Sequence, residues 1–133
     1  MTVAPTKLNV VDSSAWLAYF ADEPGARAFA AAIEDVDTLV VPTICIAEVF
    51  KIVARQRGEG DALQAIAVMQ QGRIVDLDGE LALAAAVVGI QHKLPLADSI
   101  VYATARQLEA LVWTQDEDFE GLPNARYFRK RKT

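Results

Sequence analysis

Short apolar runs alternate with longer amphipathic segments along most of the chain. The short runs are rich in Val, Leu and Ile and predict strands at 7–11, 38–41, 73–77, 110–113 and 125–128. Between them, apolar residues recur every three or four positions, which predicts helices at 13–20, 25–34, 44–57, 61–71, 79–92 and 98–109. Because no two strands are joined by a two-residue turn, the pattern predicts an α/β fold with a parallel sheet buried between helical layers.

Small polar residues and glycines suggest where several of these helices begin and end. Ser13 or Ser14 is suited to cap the first helix, and Thr43 the helix after the second strand. Gly58 follows that helix, and Gly72 follows the next. We find no repeat, linker or low-complexity segment, so we expect one domain over residues 1–133.

The chain has 133 residues, of which 53% are hydrophobic and 23% charged, the balance of a globular domain with a substantial core. No apolar run reaches the roughly 18 residues that span a bilayer, so no membrane association is expected. The first residues lack the pattern of a signal peptide. The single cysteine, Cys45, lies in an apolar stretch and is interpreted as a core residue. These features favour a cytoplasmic protein.

The formal net charge is -5, which argues against a simple basic nucleic-acid binder. Contact with nucleic acid then requires metal ions or local basic residues, such as Lys51, Arg55 and Arg57 on one predicted helix. The tail 126–133 carries five of the 13 basic residues and no acid. A solubilising terminus is the favoured interpretation of this tail, and a phosphate-contacting tail is the alternative.

Four carboxylates stand in apolar surroundings, unlike most of the 18 acids: Asp12, Glu48, Asp98 and Asp116. An unpaired carboxylate costs several kcal/mol in an apolar environment, unless a cation compensates it. Asp12 and Asp116 follow predicted strand ends, Asp98 begins a helix, and Glu48 lies within two turns of one. In a parallel α/β sheet, these positions can meet at the edge formed by the carboxyl ends of the strands.

Converging carboxylates with no His or Cys partner favour Mg²⁺ or Mn²⁺. Such an ion binds phosphate oxygens and activates water, which predicts metal-assisted phosphodiester hydrolysis. Two alternatives remain open: a phosphohydrolase with Asp12 as nucleophile, and a metal-binding interaction module without turnover. The first usually requires a second Asp two residues further on, where this chain has Ser14. His92 ends a predicted helix, so a His-based nucleophile system is not expected.

Four segments together resemble the signatures of PIN-domain ribonucleases: Val10–Ser14, Ala47–Glu48, Leu96–Ala103 and Thr114–Phe119. Their order and the total length resemble the small VapC-type toxins of toxin–antitoxin pairs. The resemblance implies a three-layer α/β/α sandwich with a central parallel five-stranded sheet in the order 3-2-1-4-5. It also implies a Mg²⁺- or Mn²⁺-dependent endonuclease acting on RNA, a homodimer, and a protein antitoxin that blocks the site.

By position in these signatures, the resemblance assigns Asp12, Glu48, Asp98 and Asp116 as the catalytic acids. Asp12, Asp98 and Asp116 are expected to bind the metal. Ser14, Thr114 and Asp118 are assigned supporting roles. In the segment TQDEDF, 114–119, Glu117 is expected to face solvent and Phe119 to anchor the segment in the core.

Overall fold

The computed structural model describes residues 7–131; residues 1–6, 132 and 133, which include the end of the basic tail, lie outside the described part. Within that part the strands are β1 (Asn9–Val11), β2 (Leu39–Pro42), β3 (Arg73–Val75), β4 (Leu111–Thr114) and β5 (Ala125–Tyr127). The helices are α1 (Ser13–Phe20), α2 (Arg27–Glu34), α3 (Thr43–Arg57), α4 (Glu59–Met69), α5 (Gly79–His92) and α6 (Leu96–Gln107). A short 3-10 turn, Glu117–Phe119, follows β4.

The strands form one sheet in the order β3-β2-β1-β4-β5, and all neighbouring pairs are parallel. β1 lies at the centre, with Val10 paired to Val40 on one side and Val112 on the other. Parallel neighbours need crossover connections, and the intervening helices provide them. The predicted fold class and strand order are therefore confirmed, and the residues after β1 and β4 lie side by side.

The core is built on the central strands and the helices that cover them. Val10, Val11, Val40 and Val41 are fully buried, as expected for strands covered on both faces. α2 and α6 each pack on the central strands, and α6 is buried along most of its length. Cys45 and Phe119 are also fully buried, which confirms their interpretation as core residues. No helix within residues 7–131 is long and apolar enough to cross a membrane.

Several element boundaries differ from those expected. α3 begins at Thr43 rather than using it as a cap, and Pro42 occupies the cap position. α6 begins at Leu96, so Asp98 is its third residue rather than its first. Proline has a fixed φ and lacks an N–H group, so Pro42 and Pro95 set these helix starts without a capping side chain. α4 begins two residues earlier than predicted, and β3 ends two residues earlier.

Candidate active site

Asp12 lies at the centre of the sheet edge, between β1 and α1. Its backbone N–H donates to the carbonyl oxygen of Trp113 at 2.9 Å, and its side chain caps α1. The Oδ2 atom accepts hydrogen bonds from Ser14 N (3.3 Å), Ser14 Oγ (2.7 Å) and Thr114 Oγ1 (3.0 Å). Burial raises the pKa of Asp12, whereas the bonds from Ser14 and Thr114 lower it.

The second oxygen of Asp12, Oδ1, makes no hydrogen bond with the part of the chain that the structure describes. Three donors on Oδ2 therefore hold the carboxylate in one orientation and leave Oδ1 open to a ligand. Asp12 therefore caps α1 in place of the expected Ser13 or Ser14, and one of its oxygens caps the helix while the other remains available.

Ser14 and Thr114 also connect Asp12 to the turn after β4. The hydroxyl of Thr114 accepts from Asp116 N at 2.9 Å, and that of Ser14 accepts from Gln115 N at 3.2 Å. Both hydroxyls thus donate to Asp12 and accept from the β4 turn. Thr114 is fully buried, so this link is shielded from water. The backbone of the turn is thereby fixed relative to Asp12.

Asp98, Asp116 and Asp118 form the tightest carboxylate cluster. One ligand oxygen from each lies within 4.8 Å of the other two. The N–H of Asp118 donates to Asp116 Oδ1 at 2.9 Å, which places both side chains on the same turn. Asp98 reaches them from the first turn of α6. The structure thus brings Asp98 and Asp116 together as expected, with Asp118 rather than Asp12 as the third member of the cluster.

Within this cluster, negative charges act on Asp98 without a basic residue among the neighbours that shift its pKa. Burial raises the pKa of Asp98 to about 8, and the negative charges of Asp12 and Asp116 act in the same direction. Hydrogen bonds with Asp118 and Asp116 contribute to the same rise in pKa, because they stabilise the protonated form. Every charged neighbour that shifts the Asp98 pKa is itself a carboxylate. Oxygen donors in this arrangement fit a hard divalent cation such as Mg²⁺ or Mn²⁺.

Glu48 takes a different position from the other acids. Its Oε1 accepts a hydrogen bond of 2.7 Å from Ser13 Oγ, which ties α3 to the start of α1. Glu48 is not a member of the carboxylate cluster, and it approaches the site through the residue that follows Asp12. Glu48 thus lies outside the carboxylate cluster, and its catalytic role stays a prediction.

Two further residues contribute in ways that sequence reasoning missed. Ser13 was treated only as a cap, although it binds Glu48. Gln115 was not singled out, although its backbone N–H binds Ser14 and its side chain reaches Glu23 Oε1 at 3.4 Å. Successive helical residues point about 100° apart. The sequence Ser13-Ser14 therefore indicates that the two hydroxyls contact different elements.

The chain matches one protein family and is similar in fold to several solved structures. The PIN domain family model matches residues 10–124. No curated protein sequence matches the chain. A toxin–antitoxin complex from Klebsiella pneumoniae contains a chain of similar fold, with a TM-score of 0.74 and 21% identity over 89% of this chain and 95% of that one. The sarcin-ricin loop cleaving toxin VapC20 from Mycobacterium tuberculosis is similar with a TM-score of 0.73 and 18% identity, over 86% and 95% of the two chains.

A DNA-bound VapBC complex from Salmonella typhimurium has a TM-score of 0.71 and 13% identity, covering 92% of this chain and 98% of that one. These identities are low, so the solved structures bear on the fold alone. The family match spans most of the chain, from β1 to the start of β5, and includes Asp12, Glu48, Asp98 and Asp116. This protein therefore belongs to the PIN-domain family.

Proposed function

We propose that this protein is a divalent-metal-dependent endoribonuclease and the toxin of a type II toxin–antitoxin pair. The observation that carries the proposal is the cluster of Asp98, Asp116 and Asp118 beside Asp12, in which a divalent cation can take the place of the proton that Asp98 otherwise holds. Membership of the PIN family, a family of nucleases, supports phosphodiester hydrolysis. The structurally similar toxin that cleaves the sarcin-ricin loop supports RNA as the substrate.

In this proposal the metal ligands are drawn from Asp12, Asp98 and Asp116, and Asp118 stands close enough to join them. Asp12 offers Oδ1, since Oδ2 is occupied by hydrogen bonds from Ser14 and Thr114. Ser14 and Thr114 act as positioning residues. Glu48 is the fourth catalytic acid, held at the margin of the site by Ser13, where it can accept a proton from a water molecule.

A bound divalent ion supplies an activated water molecule and stabilises negative charge on the phosphoryl oxygens. Attack by water joins its oxygen to phosphorus and breaks one phosphorus–oxygen ester bond. The neighbouring 2′-hydroxyl takes no part in that step. The products therefore end in a phosphate monoester and a free hydroxyl, without the 2′,3′-cyclic phosphate that attack by the 2′-hydroxyl would leave.

The experiment is to incubate the purified protein, free of any partner, with end-labelled RNA in Mn²⁺ and in EDTA. We expect cleavage in Mn²⁺ alone and product ends without cyclic phosphate. A single-stranded DNA of the same sequence tests the preference for RNA. Cleavage that persists in EDTA, or that yields cyclic phosphate, contradicts the mechanism. Metal binding without cleavage of any RNA supports the interaction-module alternative.

A groove between α1, α3 and α4 is our proposed site for the antitoxin. Two adjoining pockets, of about 350 and 260 Å³, share Phe20, Val53 and Arg57 and run from Ser14 outwards along α3 and α4. The lining is mixed, and its apolar residues Leu17, Phe20 and Val68 suit the apolar face of a partner segment. The end at Ser14 lies beside Asp12, so an occupant there also blocks the acidic site. The structurally similar toxin–antitoxin complex supports a partner of this kind.

Co-expression with the neighbouring small reading frame tests this groove. We expect the two proteins to purify together, and Ile52→Arg, at a half-buried position of the groove lining, to abolish the complex without loss of RNA cleavage by the free toxin. Co-purification that is unaffected by Ile52→Arg would place the antitoxin elsewhere. The proposal assigns the protein to the cytoplasm, where both its RNA substrate and its antitoxin are made.

A second copy of the chain is our proposed partner for α5. Leu83, Val87 and Ile90 lie on one face of this helix and are 72%, 53% and 80% exposed, and Leu96 nearby is 77% exposed. No charged residue lies between Glu80 and Lys93, so a solvent-facing side of the helix is apolar for three turns. Contiguous exposed apolar patches larger than a few hundred Å² mark interaction surfaces. The uncharged apolar face of α5 can pack against the same face of a second copy without charge repulsion, which supports a homodimer.

A further inference from the structure

The basic tail is joined to the folded domain more firmly than its composition indicates. Phe128 N donates to the carbonyl oxygen of Thr114 at 2.9 Å, which extends the pairing of β5 with β4. The ring of Phe128 stacks on Trp113, with 5.9 Å between centroids, and meets Phe29 edge-on at 5.5 Å. Arg126 covers the Trp113 ring at 4.7 Å. Residues 129–131 therefore leave the domain from a fixed point beside β4.

These residues line a cleft of about 560 Å³ between the tail and the start of α2. Three arginines contribute to the lining: Arg27 from the first position of α2, and Arg129 and Arg131 from the tail. The described residues of the lining include no carboxylate. Arginines from separate elements thus converge on one positively charged opening, although the protein as a whole has a net charge of -5 and Asp22 and Glu23 line an adjoining pocket with Arg27 and Arg131. Such a concentration of positive charge is suited to phosphate groups.

The cleft lies directly beside the acidic site. Its lining includes Gln115, which stands between Thr114 and Asp116 and whose N–H binds the same Ser14 hydroxyl that holds Asp12. Lys130, between the two tail arginines, lines the neighbouring pocket that contains Ser14. A chain of phosphates that leaves the acidic site along Gln115 therefore meets Arg27, Arg129 and Arg131 next.

We propose that this cleft binds the backbone phosphates of the RNA substrate adjacent to the phosphate that is cut. The inference rests on the proposed ribonuclease function and gives the tail a role that the sequence leaves open. A site of four carboxylates repels a polyanion, and a metal ion compensates only the phosphate in contact with it. Neighbouring phosphates need their own positive charges, which the cleft supplies. Binding of this kind is independent of base sequence and sensitive to salt.

The experiment measures binding of a short labelled single-stranded RNA by fluorescence anisotropy in EDTA, over a range of salt concentrations. The test variant is Arg27→Ala/Arg129→Ala. The matched control, Lys7→Ala/Arg73→Ala, removes the same charge from a position just before β1 and from the first residue of β3, at the amino-terminal ends of the strands. A charge-preserving variant, Arg27→Lys/Arg129→Lys, separates the loss of charge from damage to the fold.

We expect the test variant to bind RNA at least tenfold more weakly at low salt. The slope of log affinity against log salt should fall by about 1.4, because each phosphate contact to a single strand contributes about 0.7. The control and the lysine variant should keep the wild-type slope. Equal weakening in test and control variants, or a test variant with wild-type affinity and slope, overturns the inference.

Failure of the ribonuclease proposal gives a different result. If RNA binding by the wild-type protein depends on Arg27 and Arg129 but the protein does not cut RNA in Mn²⁺, the RNA-binding role of the cleft is supported and the nuclease assignment is contradicted. If the wild-type protein cuts RNA and the test variant cuts it with unchanged KM, the nuclease assignment stands and the cleft is excluded. The cleft is excluded as well if the wild-type protein binds no RNA in EDTA and no non-cleavable RNA in Mn²⁺.

Discussion

At the scale of single residues, Thr114 is the side chain that connects the two central acids. Its one hydroxyl donates to Asp12 and accepts from the N–H of Asp116. Thr114→Val keeps the shape of the side chain and removes both bonds. We expect a loss of about 1–3 kcal/mol of unfolding free energy, because the partly buried N–H of Asp116 loses its acceptor and the Asp12 carboxylate loses a donor.

The same Thr114→Val substitution should reduce RNA cleavage roughly 10- to 100-fold, the usual effect of removing a residue that orients metal ligands. The Mn²⁺ concentration for half-maximal cleavage should rise, which distinguishes a positioning role from general destabilisation. Thr114→Ser retains the hydroxyl and should restore the metal dependence. A Val variant with wild-type metal dependence would show that the hydroxyl does not position the acids.

The raised pKa of Asp98 predicts a pH dependence of stability in the metal-free protein. The pKa is 3.8 for the free side chain and about 8 in the folded protein, so the folded state binds the proton more tightly. The unfolding free energy should therefore fall as pH rises from about 4 to about 8, and level off above it. Burial raises the pKa of Asp12 as well, which acts in the same direction.

Urea denaturation in EDTA at intervals from pH 5 to pH 9 measures this dependence. Asp98→Asn removes the ionisable group and should flatten the profile. Addition of Mn²⁺ should stabilise the wild-type protein most at high pH, because the metal competes with the proton for Asp98. A wild-type stability that rises over this range would contradict the assigned pKa.

At the scale of elements, the close packing of α5 on α6 positions Asp98. A Cβ atom at Gly89 would lie only 2.6 Å from Ser99 Oγ, and Ser99 is the residue after Asp98. Gly89→Ala should push the helices apart, with a cost of about 1–3 kcal/mol, and displace the Asp98 carboxylate. Gly79→Ala is the matched control, because that position on α5 is open to solvent.

Thermal unfolding and Mn²⁺-dependent cleavage measure the effect. We expect Gly89→Ala to lower both the Tm and the cleavage rate, and Gly79→Ala to lower neither. The double variant Gly89→Ala/Ser99→Ala removes the clashing hydroxyl and should recover much of the loss. Equal effects of the two glycine substitutions would argue that helix packing does not set the position of Asp98.

Most elements of the fold follow from the sequence pattern, whereas the details of the site do not. The apolar segments that precede Asp12 and follow Glu109 predict that Asp12 and Asp116 lie close together, because the carboxyl ends of parallel strands lie at the same edge of a sheet. The sequence cannot show that Asp118 completes the tight cluster, since this depends on the 3-10 turn after Asp116. Nor can it show the course of the tail, which depends on the stacking of Phe128 on Trp113.

At the scale of the whole molecule, the apolar face of α5 predicts a dimer. Ile90→Glu places a charge at the most exposed of its apolar residues and should give a monomer by size-exclusion chromatography with light scattering. Leu63→Glu on α4, where the side chain is 59% exposed, is the control and should remain dimeric. A monomeric wild-type protein, or a dimer that tolerates Ile90→Glu, contradicts this interface.

The central claim is that the acidic cluster is a metal centre that cuts RNA. The most direct test measures single-turnover cleavage of labelled RNA in Mn²⁺ by the wild-type protein, Asp98→Asn and Asp37→Asn. Asp37 is the control because it is an exposed acid far from the cluster in sequence. We expect a loss on the order of a hundredfold or more for Asp98→Asn, with its fold retained, and wild-type rates for Asp37→Asn. Wild-type cleavage by a folded Asp98→Asn protein would contradict it.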